Sequence, residues 1–191
     1  MIRVRACRDA DMPAVLEIYA VHAGDPTDRV TFEEVVPTLN DMRERRVKVS
    51  ELGFPYLVAT LETLEQSFRA AAAHGGAAAA SEDETIVGYA YCSQFRSRAA
   101  YRRAAEVSIY VRQGYRGRGV GSTLLRTLIA KARKCNLHSL ISVMGTEEDN
   151  PGSYHLHTKN GFRVVGVLKE VGCKHGVLID RLLMERLIGK D

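Results

Sequence analysis

Residues 106–126 read EVSIYVRQGYRGRGVGSTLLR, and three kinds of structure succeed one another there without a gap. Val107, Ile109 and Val111 alternate with Glu106, Ser108 and Tyr110, the period of a strand with two distinct faces. Arg116, Gly117, Arg118, Gly119, Val120 and Gly121 then break the alternation. From Val120 the apolar residues Leu124, Leu125, Leu128, Ile129 and Ala132 recur at helical spacing on one stripe. A glycine loop running into a helix start offers amides without intrahelical acceptors at the positive end of the helix dipole. Glycine lets that backbone approach a ligand closely, and Arg112, Arg116 and Arg118 add positive charge. Such a stretch suits a diphosphate or a similar anion.

A nucleoside triphosphatase loop would carry lysine before Ser122, and Gly121 stands there. A dinucleotide fingerprint would need glycine in place of Ser122, near the start of its domain. The loop after this strand, Arg116-Gly117-Arg118-Gly119-Val120-Gly121, resembles the acetyl-CoA diphosphate loop of the GNAT N-acetyltransferases. The resemblance implies an α/β GNAT fold, a central mixed, twisted sheet of about seven strands flanked by about four helices.

The chain has 191 residues, enough for one domain with a real core. Its 27 basic and 23 acidic residues leave a net charge of +4, too small and too locally clustered to argue for nucleic acid. Cys7, Cys92, Cys135 and Cys173 are scattered and form no C-x-x-C pair. With no signal peptide read at the start, reduced thiols in a cytoplasmic protein are expected. No apolar run approaches the length of a membrane helix. His155 and His157 diverge on a helix, so no metal is expected.

Outward from the loop, Ile2–Ala6 reads as a strand, and Asp9 or Asp11 is placed to cap the next helix, with Pro13 in its first turn. Met12, Val15, Leu16, Tyr19, Ala20 and Ala23 supply that helix's buried stripe. A second helix is expected over 33–47 with Val35, Val36, Leu39 and Met42 inward, although Pro37 forces a late start or a kink. Tyr56–Leu61 and 85–95 read as two strands of a hairpin. Between them, 62–84 is an Ala/Gly-rich insertion, read either as a lid or partner-binding element or as a low-complexity segment. A strand over 138–144, a short helix over 151–160, and strands over 162–171 and Val177–Leu187 joined by a turn at 172–176 complete one mixed α/β domain.

Four stretches narrow the resemblance. Asn150-Pro151-Gly152-Ser153-Tyr154-His155-Leu156-His157, continuing to Gly161-Phe162, resembles the family's N-x-x-A/S-x-x-L-Y/H-x-x-x-G-F signature. Phe95-Arg96-Ser97-Arg98-Ala99-Ala100-Tyr101 and the Glu106–Val111 strand are similar to segments of the phosphinothricin and methionine sulfoximine acetyltransferase group. So is Val171-Gly172-Cys173-Lys174-His175-Gly176 with Asp180. Two aromatic positions depart from that group's pattern: Leu178 and Phe95 stand where it often has tryptophan, which leaves the acceptor's identity open.

The resemblance implies acetyl-CoA as co-substrate, held by Ile109, Tyr110 and Val111, by the loop residues Arg116, Gly117, Arg118, Gly119, Val120, Gly121 and Ser122, and by Asn150 and Lys159. It implies Glu106 as the base that deprotonates the attacking amine, and an oxyanion donor among the amides of 109–111. His157 stands near the sulfur, either donating to the thiolate or packing against the sheet. Phe32, Arg96, Arg98, Tyr101, Lys174 and His175 are the candidate acceptor contacts, with guanidinium groups suited to a carboxylate or phosphinate. The expected activity is direct transfer of an acetyl group to the amine of a small amino acid or analogue. Acetylation of a polyamine or peptide N-terminus, and a CoA-binding module without turnover, stand as the other readings. The partner is then a small-molecule amine, in a chain that resembles two-fold dimers.

Overall fold

The computed structural model describes residues 1–61 and 84–189; the insertion at 62–84 therefore lies almost wholly outside the described residues. Among the described residues, seven strands form one sheet in the order β1-β2-β3-β4-β5-β7-β6. They are β1 (Ile2–Ala6), β2 (Tyr56–Leu61), β3 (Thr85–Gln94), β4 (Ala104–Val111), β5 (Ser139–Met144), β6 (Arg163–Lys174) and β7 (Val177–Leu187). All neighbours are antiparallel except β4 and β5. Helices α1 (Met12–Ala23) and α2 (Leu39–Glu51) cover one face; α3 (Val120–Lys134) packs on the other, and α4 (Pro151–Lys159) lies beside its start.

Two apolar clusters lie on opposite sides of the sheet. Leu124, Leu125, Leu128 and Ala132 of α3 meet Leu57, Val87, Ala90, Val107 and Leu140. Those helix residues belong to the stripe expected from the sequence, and each leucine is fully buried, worth roughly 1.5–3 kcal/mol apiece. On the other face Met12, Val15, Ile18 and Tyr19 of α1 meet Val58, Ile86 and Tyr89. Tyr56, Tyr91, Tyr89 and Tyr110 stack across β2, β3 and β4 with centroids 4.9–6.3 Å apart, and Tyr19 abuts Tyr110 edge-on at 5.2 Å.

Three local expectations are corrected. Asp11 is the N-cap residue of α1 but makes no side-chain cap bond: it accepts two hydrogen bonds from Arg5 (2.7 and 2.9 Å), and Asp9 pairs with Arg43 at 3.1 Å. The second helix begins at Leu39, not near 33, because Thr38 and Asp41 form a capping box just after Pro37. Val35 and Val36 consequently precede it and are exposed. The last hairpin turns only at His175 and Gly176, with φ of 48° and 78°, as a two-residue turn of the right hand requires. Gly172 stays in β6, where a Cβ would fall 2.3 Å from the Phe32 ring.

Candidate active site

The single parallel pairing positions the site. β4 and β5 are in register only at Ala104–Ser139, Ala105–Leu140 and Glu106–Ile141. β4 runs on to Val111 and β5 to Met144, each still paired on its outer side with β3 and β7. The strands therefore splay apart beyond Glu106, and inner-edge backbone groups of 107–111 are left without a ladder partner. A cavity of about 770 Å³ opens in the gap. Its walls are 107–111, 142–144, the start of α3, and Asn150, Leu156, His157 and Lys159 of the α4 region.

The glycine loop closes one end. Gly117 and Gly119 hold φ of 74° and 84°, a region that costs side-chain-bearing residues dearly. Gly119 is the N-cap of α3 and supplies no side-chain cap. The Thr123 amide donates to Gly119 O at 3.0 Å, which leaves the amides of Val120, Gly121 and Ser122 without intrahelical acceptors. At Gly121 a Cβ would meet Leu156 Cδ2 at 3.1 Å, so glycine is what brings α3 and α4 together at the cavity. Unpaired strand groups followed by unpaired helix-start amides fit an amide-bearing arm that ends in a diphosphate.

The cofactor residues expected from the sequence are mostly gathered on this wall. Ile109, Tyr110, Val111, Arg116, Gly117, Gly119, Gly121, Ser122, Asn150 and Lys159 all line it. The Val120 side chain is buried in the core, so only its amide is available. Arg118 turns to the Tyr115 ring, 5.5 Å from the centroid. Arg112 is tied away, to Ile86 O at 3.0 Å and to Glu17 at 3.1 Å. Asn150 caps α4, its side-chain oxygen accepting from the Ser153 amide at 3.2 Å.

Glu106 sits at the vertex, in the last β4–β5 pair. Alternation turns its side chain toward the tyrosine face, with Ser108 and Tyr110, while Val107 and Ile109 face α3. Burial pushes its carboxyl above the ordinary glutamate range, and the positive charge of Arg96 works against that. His157 is buried on the opposite side. Its Nδ1 lies 2.8 Å from Ser153 O, a carbonyl that can only accept, so Nδ1 carries the proton. Nε2 is then a bare lone pair, buried without a partner. Desolvation lowers its pKa to about 4, and the ring is neutral at physiological pH.

The candidate acceptor contacts are more dispersed. Arg96, Arg98 and Tyr101 lie on the exposed segment after β3, with Arg96 over the Phe95 ring at 5.2 Å. Lys174 is fully buried and donates to His22 O (3.2 Å) and Asp28 O (3.0 Å), holding the loop after α1. The His175 amide donates to Glu34. Phe32 stacks under the Arg181 guanidinium at 3.8 Å, and Arg181 donates to Arg29 O. Asp180 pairs with Lys169 at 2.7 Å. Residues that sequence reasoning missed also line this cavity, namely His22 in the last turn of α1, Asp28, Arg29 and Val30 on the loop after it, and 142–144 on β5. Only their convergence in space marks them. Among the described residues no group of three or more His, Cys, Asp or Glu side chains could hold a metal ion.

A family model described as the acetyltransferase (GNAT) family matches residues 40–162. A phosphinothricin N-acetyltransferase of Alcaligenes faecalis is 40% identical over 183 residues, covering 96% of this chain and 81% of that protein. An L-methionine sulfoximine/L-methionine sulfone acetyltransferase of Salmonella typhimurium is 31% identical, covering 95% and 92%. Among solved structures, a phosphinothricin acetyltransferase from Sinorhizobium meliloti in complex with acetyl-CoA superposes with a TM-score of 0.81. It is 31% identical, with coverage of 98% and 89%.

Proposed function

The chain belongs to the acetyltransferase (GNAT) family, and from that premise we propose that it transfers an acetyl group from acetyl-CoA to the amino group of a small amino acid or amino-acid analogue. Phosphinothricin and methionine sulfoximine are the chemical types favoured by its relatives. The observation that supports this reading is the β4–β5 splay: its cavity runs from the glycine loop to Val107, next to Glu106 in the last β4–β5 pair, although the Glu106 side chain is not among the cavity's lining.

In this reading the inner edge of 107–111 pairs with the amide-bearing pantetheine arm as an added strand would. The amides of Val120, Gly121 and Ser122 take the diphosphate, with Arg116 beside them and Lys159 at the rim. The thioester carbonyl then lies near the vertex, where an amide of 109–111 donates to the oxygen that gains charge during attack. A typical acceptor amine is protonated at pH 7 and must lose that proton before it attacks. Glu106 takes it, directly or through water, and its raised pKa brings it nearer the operating pH than an exposed glutamate. The amine lone pair forms the new C–N bond and the C–S bond breaks; the second proton that nitrogen sheds on becoming the amide goes to the departing thiolate, which leaves as free thiol. His157 presents a lone pair and no proton at Nε2, so it does not protonate the thiolate.

Phe32, Arg96, Arg98, Tyr101, Lys174 and His175 belong to the acceptor side, at two distances. Arg96 lies close enough to Glu106 to act on its charge and is the direct contact for an acceptor's acid group. Lys174 and His175 act by holding the loop that carries Phe32. The four free thiols support a reducing, cytoplasmic setting. The strand β6 forms a sheet edge with Val164, Val165, Val167, Leu168 and Val171 exposed, which supports a two-fold dimer; sedimentation velocity on a Val165→Lys variant, monomeric where the parent is dimeric, tests it.

Thiol release from acetyl-CoA is the deciding measurement, across a panel of phosphinothricin, methionine sulfoximine, natural amino acids, spermidine and an alanine-terminated peptide. Release stimulated by the amino-acid analogues supports the reading. Preference for spermidine or the peptide overturns the acceptor class. Acetyl-CoA binding with no release for any amine leaves a cofactor-binding module.

A further inference from the structure

The Arg116 guanidinium does not stand alone in the loop. Its Nη2 lies 3.2 Å from Nε2 of His22, and the other ring nitrogen of His22 lies 2.6 Å from Asp28 Oδ2. His22 is buried at the end of α1 and Asp28 is half-buried. The order of protons along this chain is fixed by its ends. A guanidinium can only donate, so Nε2 must accept; a carboxylate can only accept, so Nδ1 must carry the hydrogen. One neutral tautomer satisfies both contacts. The Tyr110 ring flanks the imidazole at 5.8 Å, and buried Lys174 fastens both ends of the loop through the carbonyls of His22 and Asp28.

We propose that His22, oriented by Asp28, is a positioning residue for acetyl-CoA: it holds the Arg116 guanidinium against the diphosphate end of the cleft. All three residues line the same cavity as Gly117, Gly119 and Ser122. The role deepens the reading of the glycine loop as the diphosphate site and rests on it. An arginine on an exposed loop has many rotamers, and freezing one on binding costs affinity. A buried acceptor already engaged with it removes much of that cost. The same contact ties the cofactor loop to residues 22–31, the segment that leads into Phe32, so the two sides of the cleft share a support.

Calorimetric titration of acetyl-CoA into wild type, His22→Ala, Arg116→Ala and the double variant tests the role. His22→Ala should weaken Kd about fivefold, the size of one typical hydrogen bond. In the Arg116→Ala background the same substitution should add less than about 1.5-fold, since additivity fails for residues acting through one contact. His22→Gln keeps an acceptor where Nε2 stands and should recover most of the affinity; His22→Asn, whose acceptor falls at the Nδ1 position, should not. Asp28→Asn, a nearly isosteric change, frees the tautomer and should weaken Kd two- to threefold, by roughly half of that contact. Losses that simply multiply in the double variant, or a glutamine no better than alanine, overturn the role of His22. Absence of heat with wild type overturns the cofactor site itself, which separates failure of the premise from failure of the inference.

Discussion

On the proposed cofactor side of the cleft the candidate binding groups are backbone amides, delivered by the near-continuous run from Val107 to Ser122. On the acceptor side they are side chains from segments far apart, held by contacts such as Lys174 with His22 and Arg181 with Arg29, each spanning 152 residues. Main-chain groups are the same in every sequence, so the first side needs only the right backbone path. Glycines at Gly117, Gly119 and Gly121 supply it. The second side depends on which side chains meet, and it can be rebuilt one substitution at a time. A cleft made this way keeps its cofactor while its acceptor changes.

Glu106 stands where the two sides meet, and its loss should be the largest single effect. Glu106→Gln keeps the shape and removes the proposed base, so kcat should fall about 10²–10⁴-fold with acetyl-CoA affinity close to normal. The raised carboxyl pKa adds a second signature. In wild type the acid limb of kcat/KM lies above the ordinary glutamate range, activity falling as the pH drops through that pKa; in the variant this limb is gone. Unchanged turnover, or an acid limb that survives the substitution, would remove Glu106 from the proton path.

Next comes a change confined to the cofactor side. Gly121→Val puts a branched side chain against Leu156, 3.1 Å from the Cβ position, and into the cavity wall. Overpacking of this kind costs about 1–3 kcal/mol of stability, and a junction that moves to relieve it displaces the helix-start amides, so acetyl-CoA Kd should rise about fivefold or more, roughly the loss of one hydrogen bond. Isothermal titration reads it directly. If affinity survives, the α3–α4 contact is not what shapes the diphosphate end.

The matching change on the acceptor side is smaller. Phe32→Ala removes the ring seated on Gly172 and under Arg181, loosening the loop without touching the amides of α3. A cation–π contact of this sort is worth about 1–2 kcal/mol. We expect acceptor KM to rise several-fold while acetyl-CoA Kd moves less than twofold. Equal losses for both substrates would show that the two sides are one mechanical unit, coupled through residues 22–32.

The same division explains which features are legible in the chain itself. The strand–loop–helix of 106–134, the seven strands and the diphosphate loop are local patterns, periodicity and glycine spacing among them. The start of α2 is legible too, since Thr38 and Asp41 carry a capping-box signal after Pro37, but the apolar pair Val35–Val36 outweighs it on periodicity alone. Lys174 reads as a pocket cation and is instead buried between two carbonyls. His22 and Asp28 carry no motif, and nothing in one dimension puts either beside Arg116.

The smallest effect on turnover is expected at His157, and it is where a chemical role and a packing role separate. If Nε2 gave a proton to the departing thiolate, His157→Gln would cost about 10²-fold or more in kcat. The tautomer fixed by Ser153 O gives Nε2 no proton to donate, so we expect a change within about threefold of wild type. Stability should respond instead. The imidazole titrates near 6.5 when the chain is unfolded and at about 4 when folded, so between those values the unfolded state binds a proton that the folded state refuses. Stability is therefore lost as the pH falls from 6.5 toward 4 and loses no more from this group below that, a span of up to about 3 kcal/mol. Glutamine cannot take up the proton. Melting temperatures recorded from pH 4 to 7 should fall less steeply for His157→Gln than for the parent, and parallel curves would place the ring in contact with solvent.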